Sequence, residues 1–171
     1  MREQTVRLYR FDELADSVRE KVLQNFADVN VDYDWFDFVY DDAKNVGLEI
    51  TSFDIDRRDI GIKFLESAEH TADKIMDEHG DMCGTYQTAK NYLVERDRIL
   101  ENAPRDENGD VEDEYELDQA LDAADAEFLH AIGQEYLSML SSEYDYRTSA
   151  EAITATILRN EYEFTENGKQ F

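Results

Sequence analysis

Apolar and polar residues alternate in short stretches of the chain, a period of two that is typical of β-strands. The first stretch covers residues 5–11 and the last covers residues 162–164. Between them, residues 48–65 contain two alternating runs on either side of a polar turn at 57–59, which predicts a β-hairpin. The alternation slips by one position near Ser52, and this slip predicts a β-bulge.

Elsewhere apolar residues recur every three or four positions, the period of an amphipathic α-helix. The helices predicted in this way cover residues 12–29, 33–46, 70–79, 85–100, 117–142 and 149–159. Asp12 is the predicted N-cap of the first helix, Gly47 is the C-cap of the second, and Thr148 or Ser149 is the N-cap of the last. Residues 101–114 contain the only proline and an Asn-Gly pair, so they are predicted to form a loop.

The predicted order of elements is strand, helix, helix, hairpin, several helices and strand. This order favours an α+β fold, in which a small antiparallel or mixed sheet of about four strands packs with about five or six helices. With 171 residues, of which 42% are hydrophobic, the chain is long enough to bury a substantial core. We therefore expect a single acidic α+β domain over residues 1–171, with residues 115–160 as a candidate helical subdomain.

Charge changes this picture most. The chain has 42 Asp and Glu against 17 Lys and Arg, a formal net charge of -25. Such a charge attracts cationic surfaces. It disfavours direct binding to nucleic acid or to an anionic membrane, because phosphate groups are bound by clustered Lys and Arg. The expected partner is therefore a basic protein surface, although adaptation to salt or to solubility alone is an alternative explanation of the same imbalance.

Three features bear on the compartment. The chain has a single cysteine, and its first ten residues lack the apolar core of a signal peptide. No apolar run approaches the length that spans a membrane. We therefore expect a cytoplasmic protein that needs no oxidising environment.

The acidic residues are concentrated in two segments. Residues 101–128 contain 12 acidic residues and one base, Arg105. Asp118, Asp122 and Asp125 recur at helical spacing, and we expect them on a face opposite the apolar stripe of Leu121, Phe128 and Ile132. The partner-binding residues proposed in this segment are Asp110, Asp113, Asp118, Asp122 and Asp125. The alternative is a solvated face at the start of a long helix, where acidic residues favour the helix dipole.

The second segment, residues 28–42, contains six Asp, no Lys or Arg, and five interleaved aromatic residues. Five aromatic rings do not fit on one helix face, so some of them are expected at the surface. Carboxylates beside exposed rings would bind an Arg-rich surface through charge-assisted hydrogen bonds and stacking. The residues proposed for this role are Asp34, Trp35, Asp37 and Asp41. Ordinary amphipathic packing is the alternative.

Patterns typical of catalytic or metal sites are weak. Residues 106–110 resemble the start of a calcium loop, but the glycine stands in the fourth position where that loop needs it in the sixth. His79 and Cys83 lack further ligands at zinc spacing, so we interpret them as a turn residue and a small buried thiol. Asp54 and Asp56 form a carboxylate pair of a kind expected by chance among 42 acids. The sequence predicts no cofactor, no metal site and no enzymatic activity.

Three segments carry a resemblance to a known family. They are Tyr-Arg-Phe-Asp-Glu-Leu at 9–14, Val-Asp-Tyr-Asp-Trp at 31–35, and Asn-Glu-Tyr-Glu-Phe-Thr-Glu-Asn-Gly at 160–168. With these segments the chain resembles an uncharacterised family of small acidic phage and prophage proteins, some of which are labelled antitoxins. The resemblance implies a phage setting, in which small acidic proteins neutralise host defences, and it carries over no catalytic residues. The chain departs from an antitoxin pattern because it lacks a basic DNA-binding segment and an evident disordered tail.

These observations together predict a phage-encoded acidic binding protein in the cytoplasm of the host cell. It would inhibit a nucleic-acid-binding defence complex of the restriction or CRISPR type by imitating nucleic acid, whose duplex carries one phosphate per about 1.7 Å of axis. Two alternatives stay open. One is an antitoxin or stoichiometric regulator of a small basic protein, and the other is a metal-dependent enzyme that uses clustered Asp.

Overall fold

The computed structural model describes residues 5–171. Its elements in chain order are β1 (Leu8–Arg10), α1 (Asp16–Asn25), α2 (Asp37–Asn45), β2 (Leu48–Asp54), β3 (Asp59–Phe64), α3 (Ala68–Glu78), α4 (Gly84–Asn102), α5 (Glu114–Arg147), α6 (Ala150–Arg159) and β4 (Glu163–Thr165). The predicted α+β class is confirmed. The four strands form two antiparallel pairs, β1 with β4 and β2 with β3, where the sequence predicts one small sheet.

The chain forms two compact units, and each contains one of the two sheets. The first unit contains residues 5–35 together with Ser142–Phe171, and the second unit is Phe36–Ser141. The first sheet joins strands from opposite ends of the sequence, whereas the second is a local hairpin. Alternation with a short polar turn between the runs predicts the local hairpin, but alternation alone carries no information on which strands distant in the sequence pair.

The first unit is built around the pairing of β1 with β4, in which Tyr9 lies opposite Phe164. Phe164 is fully buried and packs edge-to-face against Phe11, with ring centroids 6.4 Å apart. Ser149 caps α6, because its hydroxyl accepts the backbone N–H of Ala152. The buried core consists of Phe11, Leu14, Val22, Ile153, Ile157 and Phe164.

The predicted cap at Asp12 is wrong. Phe11–Glu13 forms a single 3-10 turn, and α1 begins only at Asp16. The Glu13 carboxylate accepts the backbone N–H of Arg10, and Leu14 is extended and buried. Burial of Leu14 therefore interrupts the helical pattern that its neighbours favour.

The second unit contains the β2–β3 hairpin. Ile50 lies opposite Ile62 and Phe53 opposite Ile60, with a register shift between Ile50 and Ser52. This shift confirms the predicted bulge. On one side of the hairpin Phe64 stacks on Phe128 of α5, with centroids 5.9 Å apart.

Helix α4 packs against α5 through aromatic rings as well. Tyr92 stacks on Phe128, with ring centroids 4.4 Å apart and planes inclined by 14°. Phe128, Ile132 and Tyr136 are buried along α5. The middle of α5 is therefore the centre of the core of the second unit.

Candidate functional site

The loop before α5 places Asp110 at the surface, in a tight turn over residues 106–110. The Asp106 carboxylate accepts hydrogen bonds from the backbone N–H groups of Asp110 and Asn108, at 3.0 and 2.8 Å. These bonds hold the pKa of Asp106 below its usual value, and the bond from Asp110 has the largest effect. Asp106, the first carboxylate of the pattern that resembles a calcium loop, therefore closes the turn through internal hydrogen bonds.

Asp113 ends this loop and caps α5. Its Oδ1 accepts the backbone N–H of Glu116 at 2.9 Å, which satisfies one of the free donors at the start of the helix. The helix therefore begins at Glu114, three residues before the predicted start. Asp113 remains exposed, so it can still present a negative charge to a partner.

The three proposed residues on α5 do not have equal surroundings. Asp118 and Asp122 are exposed, whereas Asp125 is half-buried and accepts a hydrogen bond from the Tyr92 hydroxyl at 2.6 Å. Burial and this bond to Asp125 raise the pKa of Tyr92 well above its usual value. Asp125 therefore has a structural role between α5 and α4.

The predicted position of this acidic face is wrong. Asp118, Asp125 and Ile132 are separated by seven residues, close to two helical turns, so they lie on one side of α5 and not on opposite sides. Ile132 is fully buried. The same side of the helix thus changes from acidic to apolar along its length, because the hairpin packs against Phe128 and the residues that follow it.

The carboxylates of segment 101–128 differ in their ion pairing from those in the rest of the described chain. Among residues 5–171, none of the ion pairs involves a carboxylate of this segment. Its single base, Arg105, donates to the Gly109 carbonyl at 3.0 Å. The exposed carboxylates therefore form no ion pair with a cation of residues 5–171.

The charge density along this part of α5 is high. Six acidic residues lie between Glu114 and Glu127. At about 1.5 Å of rise per residue they are spread over about 20 Å, or roughly one charge every 3–4 Å. One strand of DNA carries a phosphate about every 3.4 Å. The linear density is thus similar to that of a nucleic-acid strand.

The second proposed set is divided by the structure. Trp35 is only 7% exposed, and its ring packs against Tyr144 with centroids 5.7 Å apart, so the prediction of a surface tryptophan is wrong. Asp34 is exposed in the first unit. Asp37 and Asp41 are exposed in the second unit, one turn apart on α2.

Other aromatic residues of segment 28–42 are exposed, although Trp35 is not. Tyr33 and Phe38 are at least half exposed. The Tyr33 hydroxyl already accepts a hydrogen bond from the Arg147 guanidinium at 2.9 Å, and Arg147 also pairs with Glu143 at 2.6 Å. The contact between an aromatic side chain and an arginine that was expected of a partner is therefore made, at Tyr33, by Arg147 of the same chain.

Asp37 and Asp41 line a groove between α2 and β2, which we term the α2 groove. Its volume is about 490 Å³. The lining residues are Asp37, Tyr40, Asp41, Lys44, Leu48, Glu49, Ile50 and Leu65. The four residues from α2 follow a helical spacing of three, one and three, a signal that is present in the sequence. The lining residues from β2 and Leu65 are brought next to α2 only by the fold.

A polar cluster of buried and half-buried side chains beside α2 was missed by sequence reasoning. The Tyr136 hydroxyl donates to Asp42 Oδ2 at 2.8 Å, and His79 Nε2 lies 3.5 Å from the same oxygen. The other ring nitrogen of His79 is 2.7 Å from the Thr85 hydroxyl. His79 and Tyr136 hold the pKa of Asp42 below its usual value, against the effect of partial burial. Burial and the neighbouring Asp42 raise the pKa of Tyr136.

The order carboxylate, imidazole and hydroxyl in this cluster is that of a nucleophile with its base. Thr85, however, is only 4% exposed, so its hydroxyl does not face a substrate. The cluster instead links α2, α4 and α5 through polar groups that are buried or, in the case of Asp42, half-buried. Cys83, interpreted from the sequence as a buried thiol, is exposed.

Within the described residues, no group of three or more His, Cys, Asp or Glu side chains has the geometry to hold a metal ion. In the same part of the chain, no helix combines the length and apolar character needed to cross a bilayer. Comparison with protein-family models, with curated proteins and with solved structures finds no match to this chain.

Proposed function

We propose that this chain is a non-catalytic binding protein that presents the acidic segment 101–128 to a basic surface of a nucleic-acid-binding protein. In a phage setting that partner is a host defence complex of the restriction or CRISPR type, which the chain inhibits by imitating nucleic acid. The observation that carries the proposal is the absence, within residues 5–171, of ion pairs to the carboxylates of this segment.

The mechanism follows from the charge distribution. Exposed carboxylates at Asp110, Asp113, Asp118 and Asp122 repel one another, and like charges one helical turn apart cost a few tenths of a kcal/mol per pair. A partner that supplies Lys and Arg removes this repulsion and gains charge-assisted hydrogen bonds. Because the spacing along α5 is similar to that of phosphates on one strand, a channel that binds nucleic acid has a matching array of cations.

The test is a pull-down with the tagged full chain from bacterial lysate at low and high salt, followed by mass spectrometry. We expect a nucleic-acid-binding complex to be retained at low salt and lost at high salt, because exposed charges are screened. Duplex DNA added to the beads should release it, since chain and DNA would compete for one surface. A complex that stays bound in the presence of DNA would contradict the proposal.

Two matched double variants test whether this surface, and not the net charge of the chain, is responsible for retention of the partner. Asp118→Lys with Asp122→Lys should abolish retention, whereas Glu20→Lys with Glu151→Lys changes the net charge equally at exposed positions outside the segment and should retain the partner. Retention of a small basic protein that resists both salt and the α5 substitutions would replace the proposal with the regulator of a basic protein.

A further inference from the structure

We propose that the α2 groove binds an extended basic segment of the partner, with two basic side chains at alternate positions against Asp37 and Asp41. The inference rests on the proposed function, because it assigns a second contact site to the same basic partner. It is carried by the shape of the groove, by the charges at its rim and by the edge of β2 that is not paired with a strand of the described residues.

The shape of the groove suits a peptide chain. Its volume of about 490 Å³ lies within the range of about 300–1,000 Å³ that ligand sites have. Leu48 and Ile50 form a buried apolar floor, and Leu65 is 48% exposed at the side. An apolar side chain of a bound segment would cover Leu65 and remove both surfaces from water.

The groove follows an edge of β2. Leu48, Glu49 and Ile50 are consecutive residues of a strand, and consecutive side chains point to opposite faces. A groove that touches all three therefore runs along the edge of the strand. Within residues 5–171, β2 pairs with β3 alone, so its other edge is not paired with a strand. An extended peptide can use such an edge for backbone hydrogen bonds.

The charges at the rim of the α2 groove determine which peptide sequence matches it. Among the described residues, Asp37 and Asp41 have no ion pair, whereas Glu49 is paired with Lys63 at 2.5 Å. Lys44 is the only cation that lines the described groove. Asp37 and Asp41 are separated by about 6 Å along α2. Alternate residues of an extended chain are separated by about 6.6 Å and point to the same side. Two basic residues with one residue between them therefore match the two carboxylates.

The probe is a short fluorescein-labelled peptide with arginines at alternate positions between leucines, and its control has the same composition with adjacent arginines. Fluorescence anisotropy with the full chain should show tighter binding of the alternating peptide. Asp37→Asn with Asp41→Asn should weaken it about tenfold, the loss expected when two charge-assisted contacts become neutral. Lys44→Glu should strengthen binding, because it removes the cation at the rim.

The matched control is Asp118→Asn with Asp122→Asn, which removes the same charge from α5 and should change the affinity of the peptide less than about twofold, since neither residue lines the groove and charges out of contact with the peptide are screened. All four carboxylates are exposed. Circular dichroism of each variant is the check that it folds. Equal losses in both double variants, or equal binding of both peptides, would overturn the inference in favour of unspecific charge attraction.

The pull-down distinguishes failure of this inference from failure of the proposed function. If the chain with Asp37→Asn and Asp41→Asn retains the lysate complex as well as the wild type does, while the α5 variant loses it, the groove is not a contact site and the proposed function stands. If the wild type retains no basic protein at either salt concentration, the proposed function fails. Backbone amide shifts that follow the peptide on α2 and β2, and not on α4 and α5, support the groove.

Discussion

Asp42 shows how one side chain of an acidic segment acquires a structural role. Its neighbours Asp37 and Asp41 are exposed, but Asp42 is turned towards the fully buried Tyr136 and towards His79. A carboxylate held between two such groups is stabilised in its charged form. The effect is visible in its pKa, which lies below the usual value mainly because of His79.

We predict that Asp42→Asn makes stability less dependent on acid pH. A carboxyl group with a lowered pKa contributes stability that is present above the unfolded value, about 3.9, and is lost as the pH falls through the folded value. The wild type should therefore be more stable than the variant by about 1 kcal/mol at about pH 7, and the difference should shrink as the pH falls below about 3.9 and through the lower folded value. Urea unfolding across this range measures it.

Asp73→Asn serves as the control, because Asp73 is exposed on α3 and forms no ion pair with another residue of the described chain. Its unfolding curve should follow that of the wild type at every pH. If the curves of Asp42→Asn and wild type ran parallel from neutral to acid pH, the arrangement of His79 and Tyr136 around Asp42 would not stabilise the charged form.

At the scale of elements, the turn after β4 closes the first unit. The backbone N–H of Gly168 donates to the Thr165 carbonyl at 2.9 Å, and Gly168 has a φ of +83°. A Cβ at this position would lie 2.9 Å from Val18 and 3.0 Å from Val22, both on α1. The turn thus needs a glycine both for its conformation and for its close approach to a helix.

We predict that Gly168→Ala destabilises the protein more than Gly109→Ala does. Gly109 has a similar φ of +88°, but a Cβ there would have no atom within 4 Å. Both substitutions incur the cost of the left-handed conformation, about 1–2 kcal/mol, and only Gly168→Ala adds overpacking of about 1–3 kcal/mol. Urea unfolding compares the two variants, and equal losses would mean that Val18 and Val22 move aside freely.

At the scale of the whole molecule, a net charge of -25 opposes folding through self-repulsion. The repulsion is strongest where carboxylates lack cations, as in the segment 101–128. A surface suited to a cationic partner is therefore also a source of instability in the free protein. Binding and stability should respond to salt in opposite directions.

We predict that sodium chloride raises the free energy of unfolding while it weakens partner binding. At low salt, Asp118→Asn with Asp122→Asn should be more stable than the wild type by about 0.3–0.5 kcal/mol, because one repulsive pair is removed. The two proteins should converge near 1 M salt, where the screening length is about 3 Å. Thermal unfolding across this series measures the effect of salt on stability and the difference between the two proteins, and the pull-down at low and high salt measures binding.

A different outcome would favour the alternative explanation of the acidic composition. If stability continued to rise steeply beyond 1 M salt, with no convergence of the two proteins, screening would not account for the effect. Adaptation to salt would then explain the charge better than a basic partner does.

The sequence alone was sufficient for the α+β class, the hairpin with its bulge near Ser52, a cap of α6 at Thr148 or Ser149, and the loop before α5. Each depends on interactions between residues close in the chain, where a period of two or of 3.6 and a capping side chain act directly. The same local reasoning failed at Asp12, because the burial of Leu14 is imposed by residues of the distant α6 and β4 in the same core.

Only the tertiary structure decided which acidic and aromatic residues are available to a partner. Composition located two acidic segments, but it did not distinguish exposed Asp118 from Asp125, which Tyr92 binds, or predict that Trp35 is buried against Tyr144. It also could not join Asp37 and Asp41 to Leu65 in one groove. The physical reason is that the free energy of a side chain depends on what packs around it, and those neighbours come from elements far apart in the sequence.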